Sequence, residues 1–236
     1  SPPQTNEIGR AAMLLPGFLT IARETGLPLD LREIGSSAGL NLLFDRFHYR
    51  YGESEWGDAA SPVKLVPELR GNAPDLSGAL DIATRFGSDI APIDVSDAGE
   101  RLRLASYIWP DQTARLARMK AAVELAGGEP LVPERTDAFG FLETALAQRR
   151  PDRVLVLFHS IMWQYLPAAT RLRIEAALAS AGTARGAPIA WLRMEPADTG
   201  EPFALVSLTL WPDGNRRDLA RCDFHGRWIE WIGEED

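Results

Sequence analysis

A strand, a glycine-bearing turn and a helix follow one another in residues 29–47, and this succession most constrains the fold. The stretch reads LDLREIGSSAGLNLLFDRF. Residues 29–34 form an extended run, residues 35–39 are small, and apolar residues recur at helical spacing from Leu40 to Phe47. This succession is the first unit of a nucleotide-type α/β fold. The small residues would let backbone N–H groups approach a ligand, and the helix start would present a positive dipole end to it.

Composition restricts the classes of partner. The chain has 236 residues, 45% of them hydrophobic, which suits a single α/β domain over residues 1–236. A net charge of −8 argues against nucleic acid and favours a small-molecule substrate. Apolar runs such as residues 154–158 are far shorter than the ~20 residues of a membrane span, and no secretory signal is evident, so we expect no membrane partner and a cytoplasmic location. The lone Cys222 and the scattered histidines predict no metal site.

The N-terminal third of the chain predicts a helix and an insertion. Apolar residues at spacings of three and four predict a helix within residues 4–25, broken at Pro16 and ended at Gly26, in an N-terminal region of residues 1–27. Residues 48–80 are expected to form an inserted hairpin and loop, in which a strand at residues 47–52 pairs with residues 63–66. Because the chain begins with Ser1 rather than methionine, we also expect a segment upstream of it.

The remaining elements alternate between strand and helix. Strands are predicted at residues 80–86, 130–135, 153–158 and 188–194, with helices at residues 98–108, 112–126, 138–147 and 168–181. Residues 203–210 and 217–232 form a final antiparallel pair, because a turn and no helix joins them. We therefore predict a three-layer αβα Rossmann-like sandwich whose mixed seven-stranded sheet is mostly parallel, with an antiparallel C-terminal pair and a β-hairpin inserted after the first helix.

The turn after the first strand resembles a cofactor-binding motif. Residues 33–39 read acid-x-Gly-x-x-x-Gly, which resembles the first motif of the class I S-adenosylmethionine-dependent methyltransferases, with Ser37 at the middle glycine position. The strand plan is similar to that family's from about Pro28 to the C-terminus. This resemblance implies S-adenosylmethionine as cofactor and a small-molecule methyl acceptor. The cofactor-binding residues that it implies in this motif are Glu33, Gly35, Ser36 and Gly39.

Three later segments extend the resemblance. Residues 87–92 resemble the second motif, which implies that Asp89 holds the ribose hydroxyls. Thr136 to Ala138 resemble the acid-Ala pair of the family, which implies that Asp137 and Ala138 recognise the adenine amino group. His159 lies where the fourth motif lines the pocket, and it is our candidate for acid/base catalysis. Asp89 follows Gly39 by far more than the usual ~20 residues, and the inserted hairpin would account for the excess.

Each of these residues also has a structural interpretation. The glycines would serve a tight turn that packs helix on strand, Asp89 and Asp137 would be N-caps, and a lone histidine at a strand end is often a hydrogen-bonded structural residue. A second hypothesis is a methyltransferase-like ligand-binding module without catalytic activity, because Ser37 replaces the middle glycine and the sequence has no compelling catalytic constellation. Residues 4–7, 35–41 and 109–112 also look like those of a bacterial family of unknown function with this fold.

Residues 35–39 also fit a third hypothesis, because they match G-x-S-x-G, the nucleophile elbow of α/β-hydrolases. Ser37 would then be the nucleophile of a serine hydrolase. Such an enzyme needs an oxyanion-hole loop from an earlier strand, followed later in the chain by an acid and a histidine. Only one predicted helix precedes Ser37, and His225 is the only histidine near the C-terminal end.

Overall fold

A computed structural model of the chain describes residues 5–127, 131–184, 186–197 and 200–233. The helices are α1 (Ala11–Thr25), α2 (Ala98–Ser106), α3 (Thr113–Ala126), α4 (Ala138–Gln148) and α5 (Ala168–Thr183). The strands are β1 (Leu29–Ile34), β2 (His48–Tyr51), β3 (Ser54–Trp56), β4 (Lys64–Leu65), β5 (Glu68–Arg70), β6 (Ile82–Asp89), β7 (Glu134–Arg135), β8 (Val154–Ser160), β9 (Ile189–Pro196), β10 (Ala204–Leu210), β11 (Arg216–Cys222) and β12 (Trp228–Trp231). Pro130, the predicted start of one strand, lies outside the described residues.

Within the described ranges, the main sheet has nine strands in the order β5-β12-β11-β10-β9-β8-β1-β6-β7. The predicted mixed, mostly parallel α/β sheet is confirmed, but the predicted number of seven strands is wrong. The predicted strand over residues 217–232 is two strands, because Asp223 Oδ1 accepts hydrogen bonds from the N–H groups of His225 and Arg227 and turns the chain. The ninth strand, β5, comes from the insertion and pairs in parallel with β12.

Strand β1 lies at the centre of the parallel part of the sheet, where Glu33 is paired with Gly87 of β6 and with Phe158 of β8. The chain runs outward on one side of β1 through β6 and β7, and then continues on the other side through β8 and β9. The strand order therefore changes direction beside β1. In open parallel sheets, ligands bind in the crevice outside the carboxyl ends of the strands at such a point.

Helices cover both faces of the central strands. Val154, Val156 and Phe158 of β8 belong to a core shared with α1, whereas Leu155 and Leu157 belong to a second core shared with α4 and α5. This alternation explains why β8 reads as a continuous apolar run, as expected for a strand buried on both faces. No helix in the described ranges is both long enough and apolar enough to cross a membrane.

Helix α1 continues through Pro16, so the predicted break is wrong. Proline lacks the N–H that would bond to the carbonyl of Ala12, but the hydroxyl of Tyr51 donates to that carbonyl instead. The helix ends as predicted at Gly26, whose φ of +63° is left-handed.

Two other local predictions are wrong. Residues Leu40–Arg46 after the first turn form a short 3₁₀ helix with a kink at Leu43, and therefore lack the aligned dipoles of a long α-helix. In the insertion, the hairpin partner of β2 is β3, whereas β4 pairs with β2 in parallel, so residues 63–66 do not complete a hairpin. The missed strand β3 has only three residues.

Candidate functional site

A cavity of about 490 Å³ opens at the carboxyl ends of the parallel strands. Glu33 and Gly35 reach it from β1, Asp89 from β6, Thr136 from the end of β7 and Ser160 from β8. These strands flank the point where the sheet order changes direction. The size and the position both suit a small-molecule site.

Four buried polar atoms in the cavity wall have no hydrogen-bond partner within the described part of the chain. They are Glu33 Oε2, Ser37 Oγ, Asn41 Oδ1 and Ser88 Oγ. The four residues are each at most 5% exposed. Native proteins rarely leave such atoms unpaired, because each costs about 1–3 kcal/mol. The four residues line one cavity, which makes this cavity the candidate site for a polar ligand.

Backbone strain is concentrated at the same cavity. Among the described residues, the non-glycine residues with positive φ are Asn6 (+34°), Ser37 (+56°) and Ile161 (+50°). All three line the cavity. A non-glycine residue in this region costs about 1–3 kcal/mol and typically marks an active site or a ligand clamp.

Hydrogen bonds to β6 fix the turn over residues 35–39. The N–H and the hydroxyl of Ser36 both donate to the carbonyl of Ser88, at 3.0 and 3.1 Å. Asp89 accepts the N–H of Ser37 on Oδ2 and that of Ala91 on Oδ1, each at 2.9 Å. The carboxylate of Asp89 thus holds the strained Ser37 in place at the cavity wall.

Glu33 is an unusual acid in the wall of the cavity. Burial, and then repulsion from Asp89, raise its pKa to about 8, and Arg10 opposes this shift. The side chain is therefore mostly protonated at neutral pH. A cationic ligand beside it would favour the carboxylate and release the proton.

Arg10 provides a fixed positive charge at the cavity. Its guanidinium donates to the carbonyl of Phe224 from Nε at 2.9 Å and to that of Ser160 from Nη1 at 3.3 Å. Burial lowers the pKa of Arg10, but nearby Glu7 and Glu195 counteract this effect. The guanidinium can receive an anionic group of a ligand.

The structure brings some of the sequence-predicted residues together. Glu33, Gly35, Asp89 and Ala138 line the cavity. Gly35 has a φ of +68°, and a Cβ there would lie 3.0 Å from Cγ of Met162, so a side chain would crowd the wall.

Other predicted site residues do not line the cavity. Ser36 fixes the turn through its two hydrogen bonds to the carbonyl of Ser88. Gly39, with a φ of +72°, lies against Pro133. Asp137 is the N-cap of α4, where its Oδ1 accepts the N–H groups of Phe139 and Gly140 at 3.0 and 3.1 Å. The adenine role of Asp137 stays a prediction.

His159 is fully buried and does not line the cavity. The indole N–H of Trp191 donates to its Nε2 at 3.1 Å, and its Nδ1 lies 2.7 Å from Oε1 of Glu195. Because Nε2 accepts, Nδ1 carries the proton and donates to Glu195. The same Glu195 oxygen accepts the N–H of Met162, so His159 supports the turn beside strained Ile161. We assign no proton transfer to His159.

Several cavity residues were missed from the sequence. Arg10 and His225 reach the site from opposite ends of the chain, and no local pattern marks them. Asn6 and Asn41 had a weak signal, because they lie in the polar run before α1 and just after the glycine turn. The side chain of Asn6 accepts the N–H of Leu40, which joins these two segments.

The fold and the cavity define an α/β protein with a cavity at the carboxyl edge of a mixed, mostly parallel sheet. The chain belongs to DUF2332, described as an uncharacterized protein conserved in bacteria, and the family model matches residues 1–231. This assignment confirms the predicted membership of a bacterial family of unknown function. No curated protein and no solved structure matches the chain.

Proposed function

We propose that the protein binds S-adenosylmethionine in this cavity and transfers its methyl group to a small molecule. The observation that carries the proposal is that four residues with unpartnered buried polar atoms line one cavity at the change in strand order. The resemblance of residues 33–39 to the first methyltransferase motif supports this particular cofactor. The order of the parallel strands β7-β6-β1-β8-β9 supports a Rossmann-like interpretation of the sheet.

The charges of the cavity suit the cofactor. Glu33 is available to a cationic group, and Arg10 to a carboxylate. Ser37, Ser88 and Asn41 have unused hydroxyl or carbonyl oxygens for the sugar hydroxyls and the amine. Asp89 accepts two backbone N–H groups, which fix its carboxylate at the cavity wall.

Aromatic and apolar residues form another part of the wall, among them Ile90, Met162, Tyr165 and Leu166. They suit an adenine ring, and the face of Tyr165 tolerates a sulfonium cation. When bound, S-adenosylmethionine would supply an electrophilic methyl group. The protein would then contribute positioning of the two reactants and exclusion of water.

We propose His225 as the proton acceptor in place of His159. Its imidazole lines the cavity and is about half exposed. Burial, and next the positive charge of Arg115, lower its pKa, so the ring is neutral at pH 7 and can take a proton from an acceptor hydroxyl or amine.

Calorimetry tests the proposal. We expect the folded full chain to bind both S-adenosylmethionine and its demethylated product. Titrations at pH 7 in buffers of different ionisation enthalpy should show proton release, because a cation beside Glu33 lowers the pKa of that carboxyl. Absence of heat with both compounds would overturn the proposal. Binding without methyl transfer to any of a broad set of acceptors would favour a non-catalytic binding module.

A serine hydrolase is the second candidate, and one observation favours it. Ser37 has a free hydroxyl and a strained φ, and it lines the same cavity as His225. His225 Nδ1 lies 3.8 Å from Oε2 of Glu7, which gives the histidine an acidic neighbour. A fluorophosphonate probe should label the wild type but not Ser37→Ala if this candidate is correct. An unlabelled wild-type protein would exclude it.

A further inference from the structure

A second cavity, of about 530 Å³, adjoins the first and shares His225 with it. Three arginines line it, and they come from two separate elements: Arg115 and Arg118 from α3, and Arg227 from the turn before β12. Asp111, at the approach to α3, is the acid in its wall. Three of its eight lining residues are thus arginines, in a chain of net charge −8.

Two of the three arginines have unused donors. Arg115 pairs through Nε with Oε2 of buried Glu7 and donates from Nη1 to Gln112, but its buried Nη2 is unpartnered. The buried Nε of Arg118 is likewise unpartnered among the described residues. A desolvated guanidinium donor without an acceptor is costly, and an oxyanion such as a carboxylate or a phosphate satisfies it well.

Arg227 differs from the other two, because Asp223 engages it with two hydrogen bonds of 2.9 and 2.7 Å. The pair is nearly neutral, as is the pair of Arg115 with Glu7. Arg118 therefore provides the least compensated positive charge of the second cavity. Arg115 and Arg118 lie about one turn apart on α3 and both line the second cavity, so one small anion in the cavity would be near both side chains.

We propose that the second cavity binds an oxyanion, a carboxylate or phosphate, and that this anion is part of the methyl acceptor. The first part rests on the second cavity alone, whereas the second part rests on the proposed function. With the cofactor in the first cavity, an acceptor anchored by Arg118 would extend past His225 toward it. His225 would then lie between the anchored anion and the reacting atoms.

The test uses inorganic phosphate and acetate as probes, by calorimetry on the full chain at constant ionic strength. We expect at least one of the two to bind, and Arg118→Gln to raise its Kd about tenfold or more, since a charge-assisted hydrogen bond is lost. The matched control is Lys120→Gln, which removes one charge from the exposed face of the same helix and should leave the Kd unchanged. Arg115 is a poor choice, because its loss would leave Glu7 unpaired.

The outcomes separate the two proposals. The anion site would be overturned if neither phosphate nor acetate binds the wild type. It would also be overturned if Arg118→Gln and Lys120→Gln lose equal affinity for the anion. Both conclusions hold whether or not S-adenosylmethionine binds. Oxyanion binding that depends on Arg118, in a protein that gives no heat with S-adenosylmethionine, would keep the anion site and remove the methyltransferase. A phosphate-only or acetate-only response identifies the class of anion.

Discussion

The hydroxyl of Tyr51 donates a 2.6 Å hydrogen bond to the carbonyl oxygen of Ala12, one turn before Pro16 in α1. In an unbroken α-helix this carbonyl would accept the N–H of residue 16, which proline lacks. A side chain of the insertion therefore supplies the donor that the helix sequence omits. Both groups are buried, so water cannot serve as a substitute.

Tyr51→Phe should destabilise the fold by about 1–3 kcal/mol, because it leaves the Ala12 carbonyl buried and unpaired. The cost should be much smaller in a Pro16→Ala background, where the N–H of residue 16 can reach that carbonyl. Urea unfolding of the four proteins of this double-mutant cycle measures the coupling. Equal costs of Tyr51→Phe in the two backgrounds would show that the hydroxyl does not replace the helix donor.

Ser37→Gly should stabilise the protein by about 1 kcal/mol, because Ser37 adopts a φ of +56° that glycine tolerates without strain. Ser37→Ala is the matched control, since it removes the same hydroxyl but keeps the Cβ and the strain. Thermal unfolding compares the two variants. A glycine variant no more stable than the alanine variant would mean that the turn carries little strain.

Glu33 should make the folding stability depend on pH. Its pKa is about 8 in the folded protein and near 4.5 in the unfolded chain, so between these values the folded state retains a proton that the unfolded state has lost. The contribution of this group is therefore fully present below pH 4.5 and is lost as pH rises toward 8, at up to about 1.4 kcal/mol per pH unit. Glu33→Gln lacks this dependence.

Urea unfolding of the wild type and Glu33→Gln at pH 5, 6.5 and 8 tests the pH effect. The stability of the variant relative to the wild type should increase steadily across the series. Other titrating groups are common to both proteins and cancel in the difference. A difference that is constant with pH would mean that the pKa of Glu33 in the folded protein is below 5, close to its value in the unfolded chain.

Asp89 and Asp137 should differ in their effect on ligand binding. Asp89→Asn should weaken S-adenosylmethionine binding and cost about 1–3 kcal/mol of stability, because it disturbs the buried hydrogen bond from the N–H of Ser37 and the part-buried one from the N–H of Ala91. Asp137→Ala should cost about 1 kcal/mol by removal of a helix cap, with the affinity unchanged. Loss of affinity in Asp137→Ala without loss of stability would instead support contact with adenine.

The sequence predicted the centre of the sheet well, for physical reasons. β1 occupies the predicted residues, because a run buried on both faces is bounded by Pro28 and by the glycine turn. β8 was predicted for the same reason, because its continuous apolar run is buried on both faces of the sheet. In contrast, β3 and β5 have three residues each, which is too few for a periodic pattern. They are recognisable as strands only by their pairing with β2 and β12.

The same distinction applies to the site. Glu33, Gly35 and Asp89 were predicted because they lie in or beside local motifs at strand ends. Arg10 and His225 were not, because only the folded chain joins the N-terminal segment to the last turn, as in the bond from Arg10 to the carbonyl of Phe224. His159 has its expected place at a strand end, but Trp191 and Glu195 occupy both of its nitrogens.

The two edge strands of the main sheet are short. β5 forms one with three residues, and β7 forms the other with two. An exposed edge strand is a template on which another molecule can add a strand, and a long edge strand promotes self-association. By contributing β5, the insertion covers β12 and leaves little free backbone there. Its deletion should therefore make the protein prone to aggregation even if the parallel centre still folds.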